Sequence, residues 1–289
     1  MSGSPSKPRR RISYTRLILE STVAPAFSLT LLLIWQIGVP LAGISEFVLP
    51  TPLEILARIV TDYRLLASSA AITLMEMVAG FALAAVTGVF TALCIFYSRL
   101  FERAVYPLLV ALQTVPKVAL APLLVLYLGY DFAPKCFLAF LLAYFPVVIS
   151  TVVGLKDLDK GMVSLVRSMG ASELQIFFKI RLPAALPNVF GGFKVAISLA
   201  VIGAVIGEYV AAERGLGYLQ LQAGSQFDTT LSFAAVVVIA LIGVVLFLLL
   251  DFIERQAVFQ SAETTYQPLS TWRRPAAASC MASRSASRG

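Results

Sequence analysis

Histidine is absent from all 289 residues, which removes imidazole metal ligands, a Ser-His-Asp triad and the commonest general base together. Cysteine is scarce: Cys94, Cys136 and Cys280 make an odd count, the first two lie in apolar runs, and no pair has zinc or redox spacing. Reduced thiols without disulfides are expected. Charge is thin as well, at 13% of residues against 58% hydrophobic, where a soluble domain carries roughly a quarter charged. With a mean hydropathy of +0.85, the composition is that of a membrane protein.

A hydrocarbon core of roughly 30 Å takes about 20 apolar residues as helix, because backbone polar groups left unpaired in lipid are costly. Residues 21–45, 136–155 and 229–250 carry no charge, and 65–98, 104–130 and 195–212 carry one each: Glu76, Lys117 and Glu208. The chain is therefore predicted to be an all-α polytopic membrane protein with six transmembrane helices. Arg9, Arg10 and Arg11 precede the first apolar run as in a secretory signal, but the run is too long and has no small-residue cleavage site, so it reads as an uncleaved span.

Six spans put both termini on one side of the membrane. The arm, residues 99–103, residues 156–194 and the C-terminal segment from Arg255 hold eighteen Lys and Arg, against four (Arg58, Arg64, Lys135 and Arg214) on the opposite side. The positive-inside rule then places both termini in the cytoplasm. The formal charge of +7 needs no nucleic-acid partner, since basic cytoplasmic edges facing anionic membrane lipid account for it.

Residues 1–16 and 256–289 are rich in Ser, Ala, Arg and Pro and hold too little apolar content to offset the entropy of ordering. They are expected to be a disordered cytoplasmic arm and tail around a membrane domain spanning 17–255. In the external stretch 45–66, Leu53, Leu56, Ile59 and Val60 recur at helical spacing after Pro50 and Pro52, which predicts a short amphipathic helix at the outer surface.

Charges inside spans are functional candidates by default. Lys117, between Pro116 and Pro122, sits in a span expected to bend and free its carbonyls; its ammonium is a candidate for lining a pathway, or for pairing with a carbonyl or with Glu76. Glu76 is the second candidate, with pairing inside the bundle the blander role. Glu208 reads as a solvated carboxylate near an outer span end. Gly191, Gly192, Gly203 and Gly207 favour close helix packing.

The cytoplasmic loop 154–187 is long for a connection between spans. One helix is predicted over 159–169, with Met162, Val166 and Met169 on one face and Gly170 as its cap. A second begins at Ser172, where Ser172-Glu173-Leu174-Gln175 has capping-box form. Leu174, Phe177 and Phe178 make its stripe, and Pro183 and Pro187 are expected to stop it.

From Gly170, nine residues lead to Ile180, then Arg181, Leu182 and Pro183. This resembles the G-x9-I-x-L-P half of the EAA loop of bacterial ABC importer permeases, with Ser164, Leu165 and Val166 standing where the Glu-Ala-Ala triplet falls. Arg167-Ser168-Met169-Gly170-Ala171-Ser172, Pro116-Lys117-Val118-Ala119-Leu120-Ala121-Pro122-Leu123 and Gly215-Leu216-Gly217-Tyr218-Leu219 are similar to segments of the branch that imports nitrate, sulfonates, taurine, pyrimidines and riboflavin. The resemblance, covering about residues 65–255, implies a type I ABC importer permease fold in the bacterial inner membrane. It implies that the loop couples to a cytoplasmic ABC ATPase dimer through Arg167, Met169, Gly170, Ala171, Ser172, Leu174, Phe177, Ile180, Leu182 and Pro183. A solute-binding protein would dock on the outer loops 45–66 and 213–230, and two identical permeases would enclose the pathway.

The chain lacks a G-x-x-x-x-G-K-[ST] loop, so ATP and Mg would sit on the partner ATPase, with no cofactor on this chain and no catalysis by it. Lys117 leans toward a sulfonate, taurine or nitrate as cargo, while Phe and Tyr near Lys117 and Pro146 keep riboflavin or a thiamine pyrimidine open. An ATP-independent secondary transporter would show repeated halves and several intramembrane acids, of which Glu76 alone fits. An intramembrane enzyme would need clustered Asp, His or Cys, and no such cluster stands in the sequence.

Overall fold

Long stretches of Leu, Val, Ala and Ile leave the backbone no partners but its own helix, and the computed structural model is helical accordingly. It describes residues 14–158, 160–211 and 213–265, among which no strand occurs. In chain order the helices are α1 (Tyr14–Leu41), α2 (Pro52–Thr61), α3 (Tyr63–Tyr97), α4 (Arg99–Gln113), α5 (Ala121–Leu128), α6 (Phe132–Lys156), α7 (Lys160–Ser168), α8 (Glu173–Ile176), α9 (Leu182–Ala211), α10 (Leu216–Ser225) and α11 (Thr229–Thr265). A 3₁₀ turn at Lys117–Leu120 precedes α5, and a π turn at Phe177–Arg181 precedes α9.

Among the described residues, four stretches are long and apolar enough to cross a membrane: Tyr63–Tyr97, Phe132–Lys156, Glu173–Ala211 and Thr229–Val258. A fifth arises if Arg99–Gln113 and Lys117–Leu128, bent by 87° at their junction, count together. The expected first span lies in α1, whose apolar part, Pro25–Leu41, is shorter than these four. The expected count of six is thus met outright by four.

The fifth span also begins earlier than expected. Pro183 and Pro187 do not stop the loop helix, because Phe177–Arg181 widens into a π turn in which the Leu182 N–H reaches back to the Phe177 carbonyl. That wider turn takes the Pro183 ring off the carbonyl it would strike in a regular helix. Loop helix and span are consequently one stretch, Glu173–Ala211. At the other end of the chain, α11 runs past residue 256 to Thr265, into the segment expected to be disordered. Residues 1–13 and 266–289, the bulk of the expected arm and tail, lie outside the described residues, as does Cys280.

The chain divides into two units. Of the described residues, the first takes 14–75 with Glu208–Leu241, and the second takes Glu76–Gly207 with 242–265. In the first, α2 forms where the sequence predicts it: Pro52 pre-sets the first turn and Thr51 caps it in a reciprocal box with Glu54. The Gln36 side chain accepts the Leu53 N–H at 3.0 Å, tying α2 to α1, and Trp35 packs 6.4 Å from Phe233. In the second, α6 is the central element. A Cβ on Gly80 of α3 would lie 2.6 Å from the Ala139 side chain, and one on Gly203 of α9 would lie 2.6 Å from the Ala139 backbone. Both neighbours therefore close on α6 to a distance that only glycine permits.

Candidate functional site

The loop between α6 and α9 is built around a turn that needs glycine. Gly170 has φ +85, its N–H reaches the Arg167 carbonyl at 3.0 Å and the Ala171 N–H reaches Val166 at 3.4 Å, the paired bonds of a Schellman cap. Ser172 then opens α8 with a capping box closed by Gln175. Across the turn the Arg167 guanidinium grips one Glu173 carboxylate oxygen, from Nε at 2.7 Å and from a terminal nitrogen at 2.6 Å. Cap, box and ion pair fix the angle between α7 and α8.

Apolar side chains of this loop divide by exposure. Ile176 and Phe177 are buried, while Met162, Leu165, Met169, Leu174 and Phe178 stay exposed, Leu174 at 68%. Phe177 is thus turned inward, away from the exposed stripe that the sequence spacing predicts for it. It packs 5.6 Å from Tyr97 and 6.5 Å from Phe96 in a core with Leu155, Ala185 and Val189. Arg181 stacks its guanidinium 5.1 Å from the Phe96 ring. Ala171, Ile180, Leu182 and Pro183 are half-buried, and Arg167, Gly170 and Ser172 lie exposed beside the apolar ridge.

The two candidate pathway residues do not meet as a pair. Glu76, 0% exposed, is matched instead by Lys135 at 3.0 Å. Lys135 is buried within α6 rather than standing in an outer loop. Lys117 lies half-buried at the 87° bend, donates to the Gln113 carbonyl at 3.2 Å and stands 4.6 Å over the Phe145 ring. Phe145 continues through Tyr144 and Phe140 to Phe137 in a run of adjoining rings.

Glu208 corrects the sequence reading: it is 1% exposed and not solvated. Its carboxylate accepts from the Thr73 hydroxyl at 2.6 Å and from the Gly217 N–H at 2.5 Å, and Thr73 in turn accepts the Leu216 N–H at 2.8 Å. Those two amides open α10, where unpaired N–H groups and the helix dipole both favour a negative charge. Gly215, with φ +118, brings the backbone so close that a Cβ would collide with the Glu208 carboxylate. The only sequence signal was the Gly215-Leu216-Gly217 run, since Thr73 is far away in the chain. Glu208→Leu is expected to cost about 2–3 kcal/mol, read as a lowered melting temperature of the detergent-purified chain, with Gly215→Ala acting in the same direction. Unchanged melting in both would mean that the Glu208 carboxylate does not hold the start of α10.

The segments 45–66 and 213–230 meet within the first unit. Arg58 bridges Asp62 at 2.7 Å and Asp228 at 2.6 Å, and the Thr229 hydroxyl donates to the Glu46 carbonyl at 2.7 Å.

Residues 84–258 match the family described as binding-protein-dependent transport system inner membrane component. The chain is 38% identical over 227 residues to the formylaminopyrimidine transport permease protein ThiX of Halalkalibacterium halodurans, covering 78% of this chain and 89% of that one. It is 35% identical to the riboflavin transport system permease protein RibX of Chloroflexus aurantiacus, over 81% and 88%. To SsuC of Escherichia coli, named for aliphatic sulfonates, it is 30% identical over 76% and 85%. Its fold is similar to a chain of the MetNI methionine ABC transporter in inward-facing conformations, with TM-score 0.57 and 20% identity over 70% of this chain and 98% of that one. The chain belongs to the binding-protein-dependent inner-membrane permeases of ABC importers, with their type I fold. Membership implies a binding protein and an ATPase as partners.

Proposed function

We infer that the chain is the non-catalytic translocation subunit of an ABC importer, moving a small solute inward from a binding protein, with ATP and Mg held by a separate ATPase dimer. The carrying observation is the loop 154–187: a rigid turn at Gly170 presents Met162, Leu165, Met169, Leu174 and Phe178 uncovered, the form of a surface made to seat in another protein. Arg167 and Ser172 flank that ridge. Phe177, Ile180, Leu182 and Pro183 carry its motion into α9 instead of touching the partner. The membrane domain takes 17–255, and two identical permeases enclose the route. Six crossings, with α1 and the bent pair counted as one each, put both termini in the cytoplasm, as the excess of Lys and Arg on that side supports.

For the cargo, Lys117 alone favours an anion such as a sulfonate, taurine or nitrate. The ammonium over Phe145 and the rings beyond it favour a planar aromatic heterocycle, which the similarity to ThiX and RibX, higher than to SsuC, also supports. Uptake of labelled formylaminopyrimidine, riboflavin and taurine in cells with and without the chain tests this. Loss confined to one of the first two is expected, and loss confined to taurine would return the cargo to the anionic class.

A further inference from the structure

We propose that the groove between α2 and the α10–α11 turn receives a basic side chain of the solute-binding protein, with Phe227 as the apolar contact at its rim; this rests on the reading that 45–66 and 213–230 face that protein. The open groove, 540 Å³ in volume, is lined by Glu46, Phe47, Glu54, Arg58, Phe227 and Asp228 among others. Three carboxylates therefore stand against a single guanidinium, and Arg58 is already held between Asp62 and Asp228. Among the described residues Glu46 has no cationic partner. The surplus is negative, and a Lys or Arg is the chemistry that complements it.

Phe227 gives the groove an apolar edge at a conformational cost. It ends α10 at φ +60, the one non-glycine residue with positive φ among those described. The Asp228 N–H bonds Ala223 at 2.9 Å and its own N–H bonds Gly224 at 3.2 Å. This is the capping position where glycine is normally preferred. Yet the residue there is 75% exposed, beside Phe47 at 65%, so it brings the fold little packing in return. A second copy of this face would set carboxylates against carboxylates, and anionic lipid headgroups would be repelled in the same way, which leaves a cationic protein surface as the occupant.

The test replaces Phe227 by the photocrosslinker p-benzoylphenylalanine, which keeps an aromatic side chain at the turn, in the full chain expressed with its ATPase in cells. Adducts are identified by mass spectrometry, with and without Glu46→Lys. The expected product joins residue 227 to a solute-binding protein next to a Lys or Arg of that protein, and its yield falls at least tenfold with Glu46→Lys. A binding-protein adduct indifferent to Glu46→Lys overturns the charge assignment, and so does one remote from any basic residue. Adducts with a second copy of this chain or with lipid overturn the groove as a docking site. The same crosslinker at Leu221, exposed on α10, separates the two failures. Capture of the binding protein there but not at 227 rejects the groove alone, whereas capture at neither rejects the outer-face reading as well.

Discussion

Gly170→Val is expected to insert at the normal level, to lose at least tenfold in solute uptake, and to separate from its ATPase during purification in mild detergent. No neighbour lies within 4 Å of a Cβ at this position, so crowding is not the cause. The cause is φ +85, a region that costs an L-residue about 1–2 kcal/mol and a β-branched one more. The chain relieves that strain by opening the cap, which releases the Arg167–Glu173 bridge and the angle of α7 to α8. Asparagine tolerates the left-handed region, so Gly170→Asn should retain most uptake and serves as the control. Normal uptake by the valine variant would mean that the loop is not the coupling element.

Breaking the Glu76–Lys135 pair is expected to have the largest effect on stability. Both side chains are nearly sealed from solvent, at 0% and 7% exposure, and 3.0 Å apart. Removing one partner leaves the other charge buried alone, at about 3–5 kcal/mol. Glu76→Gln or Lys135→Met alone should therefore lower the unfolding temperature of the purified chain sharply. The double variant should recover most of the loss, because it removes the uncompensated charge along with the attraction. If the single variants unfold as the parent does, the pair is not structural, and a place for Glu76 beside the solute gains ground.

What the sequence could reveal followed the reach of each interaction. Gly170 as a cap, the Ser172 box and the bend around Lys117 depend on residues a few positions apart, and the spacing exposed them. The start of α9 was misread because two prolines signal a stop in a regular helix, and nothing local announces the π turn that accommodates them. Glu208 was misread for a different reason. A carboxylate near a span end is usually wet, and the groups that bury it, Thr73 and the amides of Leu216 and Gly217, converge only through tertiary packing. Lys135 reads as an outer-loop charge because its position at a helix start conceals its partner on α3. Phe177 and Phe178 stand adjacent on one predicted stripe, and only the rings of Phe96 and Tyr97 decide which of them turns inward.

The proposed function requires that solute move only when a separate ATPase drives the chain through the loop 154–187. Its most direct test is uptake into vesicles reconstituted with the chain, its ATPase and its binding protein, with ATP or a non-hydrolysable analogue supplied on the ATPase side. Uptake that requires hydrolysable ATP and all three components is the predicted result. Uptake that persists with the analogue, or with the chain alone under a solute or ion gradient, would make the chain a secondary transporter.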